Sequence, residues 1–190
     1  SVEYWSMVEL SSVAIDDEKA GETIVDYLIE HGHTKIAEIG ANLELSQTAR
    51  LRHNGYLNSL KKHGITPDER YYERARFSYD SAYRAMKKLL EKDIEITAVY
   101  AISDVMAIGA LRAILDKGLR VPEDISITGF DGSTLAEYYN PKIVSIRQPH
   151  KDMAARSVEL LFNMIDLHKG SCHEIIPFEL TEGKSVARID

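Results

Sequence analysis

The chain has 190 residues, 44% apolar and 28% charged, with 30 acidic against 23 basic side chains and a net charge of −7. This is the composition of a soluble globular protein rather than a disordered one; it argues against a phosphate-binding surface of clustered Lys and Arg, and no apolar run approaches the ~20 residues of a membrane span. The opening S-V-E-Y-W-S lacks the basic-then-apolar layout of a secretion signal, and the single cysteine, Cys172, rules out an intrachain disulfide and favours a reducing compartment.

Along the chain, short apolar runs alternate with helical patterns. Ser12–Ile15 reads as a strand ending at Asp16-Asp17, and a helix follows over about Glu18–Glu30 with Ile24, Tyr27 and Leu28 on one face and Gly32 as its stop. Strand Ile36–Ile39 leads to a helix near Ser46–His63, with Tyr56, Leu57 and Leu60 inward and Gly64 as terminator. Tyr71–Phe77 predicts a charged strand suited to a sheet edge. Next come a helix over about Asp80–Lys92, strand Thr97–Ile102, helix Asp104–Lys117 burying Ala107, Ile108, Leu111 and Leu115, and strand Ile125–Phe130. Ile143–Ile146 is a further strand. A long helix spans about Lys151–Leu167, with Ala154, Val158, Leu161 and Ile165 at helical spacing, and Ile175–Leu180 closes as a strand. Such alternation predicts an α/β fold with an open, mostly parallel sheet and helices on both faces.

The stretch Thr97–Pro149 is the most informative. Both of its first two strands end abruptly in polar residues, Ser103-Asp104 and Asp131-Gly132. In an open parallel sheet the carboxyl ends of the strands line the crevice where ligands bind. The pattern therefore points to a small-molecule site built from strand ends.

Several motifs occur in order: D-D-E-K-A-G, L-I-E-H-G-H-T-K-I-A-E-I-G, R-x-x-G-Y at Arg52–Tyr56, T-A-V-Y-A-I-S-D-V-M-A-I-G-A-L, G-L-R-V-P-E-D-I-S-I-T-G-F-D and S-I-R-Q-P. From about Val13 to Leu180 they resemble the effector-binding domain of bacterial transcription regulators of the lactose/galactose-repressor (LacI/GalR) family. That resemblance implies a fold like the type I periplasmic sugar-binding proteins: two α/β subdomains, a hinge of crossing strands, and an effector between them. The helix-turn-helix headpiece and most of the N-terminal subdomain have no counterpart here. The expected division is residues 1–35 as the last crossover of the N-terminal subdomain, 36–142 as the C-terminal effector subdomain, 143–170 as a crossing strand and N-terminal-subdomain helix, and 171–190 as a closing strand and tail.

The resemblance also nominates ligand-binding residues. Asp131 matches an effector contact, and a carboxylate there can accept hydrogen bonds from vicinal hydroxyls; the plainer reading is a turn aspartate. Arg52 matches an effector-binding arginine with rigid multidentate donors, against a surface helix residue; Thr48, one turn earlier, offers a hydroxyl or marks a helix start. Ser103 stands where relatives carry Asn. Either it or Asp104 can cap the next helix, and Asp104 reads more readily as that cap than as a ligand contact. Phe77 matches a position where an aromatic stacks on the effector, with core packing as the alternative. Gln148 lies in the crossing strand and reads as a cleft or a hinge residue.

Catalytic and cofactor motifs are missing: there is no G-x-S-x-G, P-loop or G-x-G-x-x-G, and His31-x-His33 flanks a glycine turn with no carboxylate-rich partner motif, so no metal and no cofactor are expected. The expected function is the effector-binding region of a cytoplasmic, homodimeric regulator that takes a sugar, sugar phosphate or purine-like ligand. It would touch DNA only through a headpiece outside these residues and would have no membrane role. Helices 80–92 and 104–117 are the candidate dimer interface. A periplasmic-type sugar receptor is the alternative, and a small sugar-handling enzyme stands third.

Overall fold

In chain order the computed structural model, which describes residues 11–166 and 171–189, runs β1 (Ser12–Ala14), α1 (Asp17–Glu30), β2 (Ile36–Gly40), α2 (Gln47–Lys62), β3 (Tyr72–Arg74), α3 (Tyr79–Glu91), β4 (Ala98–Ala101), α4 (Asp104–Asp116), β5 (Ser126–Thr128), α5 (Thr134–Tyr138), β6 (Ser145–Arg147), α6 (His150–Asp166), β7 (His173–Ile175) and β8 (Glu179–Thr181). A 3-10 turn, Glu69–Tyr71, precedes β3. The chain divides into two compact units. The larger takes Asp17–Arg147 and the stretch from Glu179 onward; the smaller takes Gln148–Phe178 and the segment up to Asp16.

In the larger unit β2, β4 and β5 are buried at every position, as parallel strands covered on both faces must be. With β3 they pair in parallel in the order β3-β2-β4-β5, which leaves the charged Tyr72–Arg74 strand at the edge. The chain leaves β2 sideways for β3, then returns past β2 to reach β4 and β5. Right-handed crossovers therefore put α2 on one face and α3 with α4 on the other. The packing agrees, with α1 against α2 and α3 against α4. β6 pairs antiparallel with β8, and Val144 bridges to Thr128 of β5. Ser185, fully buried, ties the closing segment to both: its hydroxyl donates to the Ile127 carbonyl at 2.6 Å and accepts from the Val144 amide at 2.9 Å.

The division of the chain differs from the expected boundary at residue 35. Helix α1 packs on α2 inside the larger unit, because two glycines let the backbones approach. A Cβ on Gly55 would stand 2.2 Å from the Glu18 carbonyl oxygen, and one on Gly21 would stand 2.7 Å from that of Arg52. The strand expected to open the 143–170 segment likewise lies in the larger unit, as β6.

In the smaller unit β1 pairs in parallel with β7, and α6 packs on β1. The apolar stripe of α6 that the sequence turns inward, Ala154, Val158, Leu161 and Ile165, is exposed. Leu160 is the residue that is buried, and Met164 accepts a hydrogen bond from the Ser11 hydroxyl at 3.0 Å. Among the described residues, β1 and β7 cover one side of this helix. Leu167, the expected end of this helix, lies outside the described residues. Where one strand is expected over Ile175–Leu180 there are two, β7 and β8, because Pro177 cannot donate to a ladder. In α4, Leu115 is exposed while Met106, Ala110 and Ile114 join the core. Among the described residues no helix is long and apolar enough to cross a membrane.

Candidate functional site

Since β2 to β5 are parallel, the segments that follow them all emerge at one edge of the sheet. These segments carry the first turn of α2, the loop holding Phe77, the Ser103-Asp104 start of α4, and the Asp131-Gly132 turn. The strand order reverses between β2 and β4, so the crevice expected of an open α/β sheet lies at this edge. Five of the six nominated residues, Thr48, Arg52, Phe77, Ser103 and Asp131, belong to it. Gln148 belongs to the smaller unit, where its carbonyl accepts from the His150 amide at 2.8 Å.

Arg52 organises the edge. Ser46 caps α2 by accepting the Ala49 amide at 3.1 Å, and the helix carries Arg52 inward until only 4% of it is exposed. Its Nε donates to Asp17 Oδ1 at 2.7 Å and its Nη1 to the Ile102 carbonyl, at the end of β4, also at 2.7 Å. The same Nη1 stands 3.5 Å from Asp131 Oδ1, and the guanidinium carbon lies 3.6 Å above the ring centre of Phe130. A buried charge survives only when paired and hydrogen-bonded, and this one meets two carboxylates, a carbonyl and an aromatic face. Arg52 is therefore no surface helix residue.

Asp131 holds an unusual backbone conformation, φ 118°, in which its amide donates to the Ile146 carbonyl at 2.8 Å. Its side chain is 30% exposed against 5% for Arg52. The pair thus presents a carboxylate edge to solvent, backed by a cation. Such an edge can accept hydrogen bonds from a ligand's vicinal hydroxyls.

Sequence reasoning missed Asp17, the carboxylate nearest Arg52. It sits in the first turn of α1, where the helix dipole favours a carboxylate. The signal that found Asp131, an aspartate just after an apolar strand, was also present in Asp16-Asp17.

Of the two residues that could cap α4, Ser103 does so and Asp104 does not. Ser103, 3% exposed, is the cap: its hydroxyl accepts the Met106 amide at 3.3 Å. Asp104, 1% exposed, turns away from its own helix. It accepts the Ser133 amide and the Ser145 hydroxyl, each at 2.6 Å. Burial pushes its carboxyl upward from the usual range, against the pull of those hydrogen bonds. Phe77, at 49% exposed, is not a core residue; it follows the carboxyl end of β3 with its ring half in solvent. Thr48 is half-buried one turn before Arg52, and the helix-start role belongs to Ser46.

Comparison with known proteins gives a consistent picture. A family model described as a periplasmic binding protein-like domain matches residues 25–186. The HTH-type transcriptional regulator MalR of Clostridium butyricum is 41% identical over 179 residues, covering 94% of this chain and 53% of its own. Among solved structures, the complex of the transcriptional regulator CelR with cellobiose aligns with a TM-score of 0.89 and 33% identity, over 93% of this chain and 54% of that one. A LacI family regulator from Enterococcus faecium with bound ribose aligns with a TM-score of 0.87 and 27% identity, over 95% and 67%. The chain spans about half the length of the curated relatives it matches.

Proposed function

Because the chain belongs to the periplasmic binding protein-like domain family, in the form found in LacI-type regulators, we propose that it is the effector-binding part of a cytoplasmic transcription regulator. The observation that carries this reading is the Asp17–Arg52–Asp131 cluster at the carboxyl edge of the sheet, with one carboxylate turned to solvent. A carboxylate backed by a guanidinium suits a polyhydroxylated ligand, so a sugar comes first. A sugar phosphate or a purine-like base is admitted by the same donors and by the exposed Phe77 ring. That two structural neighbours hold cellobiose and ribose supports the sugar.

In this reading Thr48, Arg52, Phe77, Ser103, Asp131 and Gln148 contribute to ligand binding, and no catalytic step is involved. The larger unit is the C-terminal effector subdomain, and the smaller belongs to the N-terminal one. Ligand binding shifts a homodimer, joined through α3 and α4, between two geometries that differ in operator affinity, and the coupling is reciprocal. DNA contact falls to a headpiece outside this chain.

Thermal-shift screening of the full-length regulator against sugars, sugar phosphates and nucleobases tests the proposal. A ligand that raises the melting temperature of the wild type, and does so much less in Asp131→Ala and Arg52→Ala, is expected. Equal stabilisation of all three proteins contradicts the site.

A further inference from the structure

The Asp131 carboxylate is presented by a turn that needs its surroundings to hold its shape. Asp131 at φ 118° and Gly132 at φ 66° follow one another in a region that residues with a Cβ rarely enter. The ties that impose this shape converge on Asp104. Its amide donates to the Phe130 carbonyl at 2.6 Å, and its Oδ2 accepts the Ser133 amide at 2.6 Å. Its Oδ1 accepts the Ser145 hydroxyl at 2.6 Å, and that hydroxyl oxygen accepts the Gly132 amide at 3.1 Å. Residues 130, 132 and 133 are thus fastened to one buried residue, directly or through Ser145. Gly129 leaves the room for it, since a Cβ there would come within 2.3 Å of Oδ1.

We propose that Asp104 is a positioning residue for ligand binding: it fixes the Phe130–Ser133 turn, so that the Asp131 carboxylate stands beside Arg52, and through Ser145 it ties that pose to strand β6. The inference rests on the reading of Asp131 as a ligand contact. A carboxylate suits this place because the bonds its oxygens make to the Ser133 amide and the Ser145 hydroxyl are both accepted ones. An asparagine of the same shape has one acceptor oxygen: it can take the Ser133 amide only as a neutral acceptor, and it can hold Ser145 only by donating its amide nitrogen to the hydroxyl, so one bond is weakened and the other reversed.

The test uses the full-length regulator with Asp104→Asn, Ser145→Ala and Asp131→Ala. Amide hydrogen exchange is followed residue by residue by NMR, and affinity is measured by calorimetry with cellobiose and ribose as probes. Asp104→Asn is expected to speed exchange at Ser133, and Ser145→Ala at Gly132, by about tenfold, with β4 and β5 amides unchanged. Each should weaken the probe that binds the wild type by about tenfold. Asp131→Ala should weaken binding while leaving exchange at Ser133 close to that of the wild type. Unchanged exchange in both of the first two variants overturns the proposal, as does faster exchange with wild-type affinity. If neither sugar binds the wild type, the sugar reading fails, and the exchange rates alone decide whether Asp104 holds the turn. Ser145→Ala keeps the question open to test should Asp104→Asn not fold.

Discussion

Arg52, proposed as a ligand contact, is also a structural residue. Its guanidinium neutralises Asp17, whose side chain is only 13% exposed, and closes the end of β4. Removing one partner of a buried pair leaves the other charge uncompensated, which typically costs about 3–5 kcal/mol. Arg52→Ala should therefore lower the urea unfolding free energy by about that much, and a loss under about 1 kcal/mol would contradict the burial argument. Another charged pair involves a fully buried carboxylate. Glu38 is fully buried with Oε2 2.6 Å from His53 Nδ1, and that hydrogen bond holds the histidine above its ordinary value of 6.5, against the effect of burial. Burial pushes Glu38 upward too. A raised histidine stabilises the fold fully below its unfolded value and loses that contribution as pH rises through the folded one. Unfolding free energy should thus fall as pH rises above about 6.5 and through the raised folded value, and His53→Gln should flatten the profile; a flat wild-type profile would count against the pair. At this scale a sequence shows which polar residues end a strand and hides which side chains pair. Position and motif nominate Asp131 and Arg52, whereas the Asp17–Arg52 bond spans 35 residues and exists only once α1 and α2 pack.

Elements were legible wherever a long apolar pattern met a clear stop. The buried runs of β2 and β4, the Ser46 and Ser103 starts, and the glycine ends of the helices all lie within a few residues of where composition puts them. The exceptions are short. Helix α5 has five residues, of which only Ala136 is buried while Leu135 and Tyr138 are exposed, so no periodicity can declare it. The α1–α2 crossing carries its own prediction. Gly55→Ala forces a methyl against backbone atoms of Glu18 and Glu22, at 2.2 and 2.6 Å, which flexible side chains cannot relieve. A loss of about 1–3 kcal/mol is expected from thermal unfolding, even though alanine is the better helix former. Unchanged or raised stability would mean that the helices can separate freely.

For the whole molecule, the alternation of strands and helices fixes the fold class, and the strand order marks the edge at which the site is proposed. Where the chain divides was not legible, because that depends on which helices meet: α1 precedes the larger unit's first strand yet packs within it through two glycines. The proposed dimer also belongs to this scale. Leu115 on α4 is 43% exposed, a large apolar side chain on the proposed interface. Leu115→Glu should shift the full-length regulator toward monomer in sedimentation at micromolar concentration, and an unchanged profile would place the interface elsewhere. The central claim, however, is that the Arg52–Asp131 edge holds a small polar ligand. The most direct measurement is a crystal structure of the full-length regulator with the best-stabilising compound from the thermal screen. Ligand oxygens should lie within hydrogen-bond distance of both the Asp131 carboxylate and the Arg52 guanidinium; a well-ordered ligand bound away from that edge would overturn the assignment.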